Sequence, residues 1–192
     1  FISYIDKDGS LKNVPGWNFT DWAEGWQMGR GPAAGDGSSA VMDLQLLLAL
    51  QAAVELEKNE GSPEYLALYE KFAQKLTETI KSKYWDASRN LFADTPARDK
   101  FSQHTNSMAI LANLVDKQKA ADIANVMLSD TSLTQTSIYF KYYLHLALAK
   151  AGLGDGYLNW LDIWRKNIDL GLTTWGETSE VETTRSDCHA WG

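Results

Sequence analysis

The strongest constraint on this chain is an alternation between two kinds of helical stretch. The run "VMDLQLLLALQAAVEL" is apolar nearly all the way round, as a helix buried on most sides must be. Ser38 or Ser39 can cap it, and it is expected to run to about Asn59. The next stretch, "GSPEYLALYEKFAQKLTETIKSKYW", places Tyr65, Leu68, Tyr69, Phe72, Leu76 and Ile80 on one stripe with Glu and Lys opposite. Pro63 suits its first turn. After a loop or short hairpin, "DASRNLFADTPARDKF", a third helix runs through "SQHTNSMAILANLV". A fourth, amphipathic, runs through "QKAADIANVMLS". The fifth, "TSIYFKYYLHLALAKAG", is again apolar almost all round and ends at Gly152. The sixth, "DGYLNWLDIWRKNI", is amphipathic.

Six helices in three consecutive pairs follow, and in the first and third pairs a buried helix precedes an amphipathic one. Short connections make the pairs antiparallel, with inner helices touching one another and outer helices shielding them. The expected fold class is therefore all-α. Its antiparallel helix hairpins form about half of an (α/α)6 barrel, as one partial domain over 1–192: a loop region (1–39), three helix pairs (40–170) and a closing loop (171–192). An α-solenoid competes, but no repeat of roughly 30–40 residues is present.

The chain has 192 residues, 44% of them hydrophobic, and a net charge of -7. That balance excludes a nucleic-acid partner, which wants a basic face, and an anionic membrane surface. No apolar run approaches the roughly 20 residues of a membrane span. A single cysteine, Cys188, allows no internal disulfide. It reads as a small buried hydrophobe rather than a nucleophile. No His/Cys/Asp cluster has metal spacing, and there is no phosphate loop or dinucleotide fingerprint, so no cofactor is expected. The first residue is not Met, and "FISYI" opens mid-pattern. The expectation is a piece of a longer protein.

Chemistry is left to the two loop regions. Eight residues are Trp, and a flat Trp face builds either a core or a platform for a sugar. Trp17, Trp22 and Trp26 crowd "GWNFTDWAEGWQMG", while Trp175 and Trp191 lie in "TTWGETSEVETTRSDCHAWG". The closing loop also offers Glu177, Glu180 and Glu182. Loop position and spacing alone do not choose among these three carboxylates, and each is also readable as a solvated loop acid.

The ordered set "PGWNFTDW", paired helices, "TTWGE" and "RSDCHAWG" resembles the catalytic barrel of the bacterial α-L-rhamnosidases, glycoside hydrolase family 78, in its C-terminal part. The likeness runs over essentially the whole chain. It implies inverting hydrolysis of terminal α-L-rhamnosyl linkages, a rhamnose-containing glycan or glycoside as partner, and a periplasmic or secreted setting. Such a reaction takes two carboxyl groups roughly 6.5–9.5 Å apart, one an acid and one a base. The resemblance assigns the base to Glu177, with Trp175 as an apolar wall that raises its pKa. It assigns sugar contacts to His189, Asp21 and Trp22. Asp21 would grip vicinal hydroxyls, and Trp22 would stack on the sugar or pack on its methyl group. Trp17 and Trp26 are either further platforms or core lids. Arg185 pairs with local acids or meets the sugar, and Asp187 reads in part as an N-cap and in part as a further sugar contact. Asp36 reads as a turn residue, His145 as a satisfied core histidine, and His104 as a surface group at a helix start.

The family's acid motif lies upstream of this region, and nothing before Asp21 matches it. The expected fragment is inactive alone, exposes an apolar face, and needs the rest of its barrel or self-association to cover it. The segment between "WGE" and His189 is shorter than the family pattern, so the loop walling the sugar differs. Two other readings remain at this stage. One is another (α/α)6 glycosidase or lyase, and the other is a catalytically inactive carbohydrate-binding helical module.

Overall fold

The computed structural model describes residues 1–177 and 186–190. The expected helices are present. Helix α1 (Ala40–Glu60) follows an extended Ser39, but the Ser39 side chain does not cap it. Instead the Ala40 N–H donates to the Asp94 carbonyl at 3.0 Å. Helix α2 (Pro63–Tyr84) is capped by Ser62, whose hydroxyl accepts from the Glu64 N–H at 3.3 Å. A hairpin of two-residue strands follows, β1 (Trp85–Asp86) antiparallel to β2 (Leu91–Phe92). Its turn uses Asn90 at φ +54°, a left-handed position that asparagine tolerates. Helix α3 (Gln103–Leu111) is capped by Ser102, and α4 (Lys117–Ser129) by Asp116.

The third pair departs from expectation. Helix α5 (Lys141–Leu148) starts later than the apolar run does, because residues 138–140 form a turn. A π-helical turn (Ala149–Leu153) extends it, and Gly152 at φ +91° bends the chain away. The sixth stretch is broken in two: a 3-10 segment (Gly154–Trp160), then α6 (Asp162–Asp169).

Helix α1 packs along α2 and α3, and α3 packs along α5. The core is shared by Leu44, Leu47 and Leu50 of α1, Leu76, Ile80 and Tyr84 of α2, and Ile123 and Met127 of α4. Each fully buried Leu or Ile stabilises the fold by about 1.5–3 kcal/mol. Asp94 fixes how the inner helices line up. Its carbonyl takes the first N–H of α1, and its carboxylate accepts from Ser102 and Thr105 at the start of α3. Asp21 makes the equivalent link between α3 and the turn before α5. The N-termini of α1, α3 and α5 therefore share one end of the molecule.

The row of inner helices is open at both flanks. Beyond α1, the residues Met42, Leu46 and Ala49 face Trp17 and Phe19 across a cavity of about 290 Å³. Beyond α5, the residues Tyr142, His145 and Leu146 face Trp164 and Ile168 of α6 across one of about 670 Å³.

Candidate active site

The first loop region meets the shared end of the inner helices at the segment 137–139. There Ser137 holds Asp21. Its backbone N–H donates to Asp21 Oδ2 at 2.8 Å, and its hydroxyl donates to Asp21 Oδ1. Ile138 and Trp175 line the same large cavity. The closing loop therefore borders the cavity that runs along α5.

Glu177 is partly buried in the closing loop. Its N–H donates to the Ser186 carbonyl at 2.8 Å, and the His189 N–H donates to the Trp175 carbonyl at 3.1 Å. These two bonds bring the carboxylate and imidazole together, with His189 Nε2 3.8 Å from Glu177 Oε1. That separation is an ion-pair distance beyond direct hydrogen-bond range. Trp175 stands beside them, 38% exposed. The sequence-predicted trio of Glu177, His189 and Trp175 is thus one cluster. Asp187 is exposed, and its carbonyl accepts from Thr174 Oγ1. Arg185, Glu180, Glu182 and Trp191 lie outside the described residues.

The aromatic loop forms a cluster of its own. Trp22 and Trp17 are exposed, and both contact Phe19, with ring centroids 5.1 and 5.4 Å away. Phe19 in turn lies 6.0 Å from Tyr139. Trp26 belongs elsewhere, covering the buried His104 ring at 4.2 Å.

Four expectations are corrected. Asp21 does not reach a ligand from where it stands. It is 0% exposed, and both carboxylate oxygens are engaged, by Ser137 and by His104 Nε2 at 2.6 Å. A buried carboxylate is tolerated only with such partners. His104 is accordingly no surface group but fully buried. His145 is not a core histidine. It sits half-buried on the wall of the large cavity, among Tyr157, Trp160 and Trp164. Burial, with help from the Lys141 charge, pushes its pKa down to about 4. Cys188 is exposed rather than buried.

Ser137, Tyr139 and Lys141 escaped the sequence reading, because all three looked like the first turns of an apolar helix. Lys141 is largely buried, and that burial lowers its pKa while the Asp21 charge opposes the shift. Among the described residues, no group of three or more His, Cys, Asp or Glu side chains is placed to hold a metal ion.

Solved rhamnosidases share this fold. A rhamnosidase from Klebsiella oxytoca, solved with rhamnose bound, superposes with a TM-score of 0.82 at 21% identity, over 98% of this chain and 37% of that one. A GH78 family rhamnosidase of Bacillus sp. GL1 superposes with a TM-score of 0.83 at 26% identity, over 99% of this chain and 21% of that one. The chain has the fold of the helical-barrel portion of GH78 rhamnosidases. No family model and no curated protein matches the sequence. The chain spans well under half the length of the rhamnosidases it superposes on. This glycoside-hydrolase-like fold accounts for the open row of inner helices.

Proposed function

We propose that this chain carries one side of the active site of an inverting α-L-rhamnosidase, with Glu177 as the general base. The observation that supports the proposal is the Glu177–His189–Trp175 cluster in the closing loop, whose Trp175 borders the cavity along α5, on a fold shared with rhamnosidases. Glu177 removes a proton from a water molecule as that water attacks the anomeric carbon. The glycosidic C–O bond breaks on the opposite face, and the leaving oxygen takes a proton from a general acid outside residues 1–192. His189 steadies the carboxylate and offers its ring nitrogens to a sugar hydroxyl. Trp175 and Trp22 supply the flat apolar surfaces that suit a 6-deoxy sugar. The two flanks of the inner row are covered by the remainder of the barrel or by a second copy.

The test uses the whole protein that contains this chain and an aryl α-L-rhamnoside, with the first-formed sugar followed by proton NMR. Release of the β-anomer first is the expected result. The α-anomer first means retention, and removes the water-activating role of Glu177. Sugar binding without turnover would support a binding module instead.

A further inference from the structure

The loop between Trp17 and Trp22 has almost no regular hydrogen-bonding pattern, yet its rings occupy defined places. Something other than secondary structure fixes them. In extended backbone successive side chains point to opposite sides. Here Asp21 points in and Trp22 points out.

The Asp21 carboxylate is held at three points: the Ser137 N–H at 2.8 Å, the Ser137 hydroxyl, and His104 Nε2 at 2.6 Å. His104 is itself packed between Trp26 and Phe140, at 4.2 and 4.4 Å. The backbone on Asp21's own side is pinned too, since the Thr20 and Asp21 N–H groups both donate to the Gly29 carbonyl. Gly29 sits at φ +67°, and any side chain there would meet the Phe19 ring.

The contacts close a ring. Asp21 binds Ser137, which lies two residues from Tyr139. Tyr139 packs on Phe19, Phe19 packs on Trp22, and Trp22 is bonded to Asp21. A loop that only needed burial would put an apolar side chain at position 21, at no desolvation cost. A carboxylate held by several donors adds direction as well as energy.

We infer that Asp21 is a positioning residue: clamped by Ser137 and His104, it sets where Trp22 stands at the site mouth, and through Trp22 it sets sugar binding. This rests on the mouth being a sugar site. Asp21 itself touches no substrate. Ser137 is part of the same device, and its hydroxyl is the component removable with least disturbance.

Two readouts test this. The first needs no activity. The protein is labelled with 5-fluorotryptophan, and the Trp22 signal is assigned by its loss in Trp22→Phe. Asp21→Asn and Ser137→Ala are each expected to move or broaden the Trp22 signal while leaving Trp160 and Trp164 in place. An unmoved Trp22 signal in both variants overturns the proposal.

The second readout is a double-mutant cycle on aryl rhamnoside hydrolysis by the whole protein. Asp21→Asn is expected to raise KM by about 3- to 10-fold, the worth of one aromatic contact, with kcat nearly unchanged. In a Trp22→Ala background the same change is expected to add nothing. A full additional KM effect there overturns the proposal, because Asp21 is then acting on something other than Trp22. If the wild-type protein turns over no rhamnoside, the rhamnosidase reading falls, and the fluorine signal of Trp22 still decides the positioning.

Discussion

Asp21 and His104 show how single residues mislead when read one at a time. An acid before a Trp in a loop reads as a ligand group, and a His near a helix start reads as solvated. Their partnership crosses 83 positions of sequence, and no local pattern carries that. Five successive polar residues, Gln103 to Ser107, are all buried at the start of α3. Each finds a partner in a distant segment, as with Gln103 on Met127 and Thr136, or Asn106 on Phe92. Glu177, Trp175 and His189 were singled out by the resemblance of "TTWGE" and "RSDCHAWG" to a known family, since spacing alone left Glu180 and Glu182 as rivals. His145 carries a prediction at this scale. Its pKa falls from 6.5 to about 4 in the folded chain because of burial and then the Lys141 charge. Between those pH values the unfolded chain holds a proton that the folded chain rejects, so the residue's effect is to lower stability as pH falls through the window. Asp43 and Asp94 act in the opposite sense, since burial raises their pKa values and the folded chain takes up protons first. Urea unfolding from pH 7 to 4 is expected to show that His145→Gln loses less stability than the wild type. Equal losses would remove His145 from the account.

Helix α3 and helix α2 make a contrast at the scale of elements. Both begin on a serine cap, and the sequence shows both serines. The caps differ in worth because their surroundings differ. Ser62 is capping an exposed turn through a 3.3 Å bond, so Ser62→Ala is expected to cost about 0.5–1 kcal/mol. Ser102 is fully buried, caps α3 and donates to the Asp94 carboxylate at 2.6 Å. Ser102→Ala also strips a buried carboxylate of a donor, and is expected to cost about 2–4 kcal/mol. Paired chemical-denaturation curves check both, and similar losses would contradict the link between α1 and α3 through Asp94. Helix existence and order were readable because their apolar periodicity is long. The break at Leu161 and the late start of α5 were not. Both arise where the chain serves the site: Ser137 gives its N–H and hydroxyl to Asp21, and α6 stands off from α5 across the large cavity.

The whole molecule is an inner row of helices with two uncovered apolar flanks, one beside α1 and one beside α5. Alternation of buried and amphipathic helices made that architecture legible from sequence, since an inner helix with an apolar outer face demands a neighbour. Leu146 is 43% exposed on the larger flank. Residues 1–192 alone are expected to associate in solution at micromolar concentration, and Leu146→Glu to shift the population toward monomer in light scattering. A wild-type chain that stays monomeric would contradict the reading of these flanks as unsatisfied surface. The central claim concerns Glu177, and one comparison tests it most directly: kcat of the whole protein and of Glu177→Gln on an aryl α-L-rhamnoside. The account predicts a fall of about 10²–10⁴-fold, the usual worth of a general base, with the fold intact by circular dichroism. A Glu177→Gln protein that turns over at the wild-type rate would contradict it.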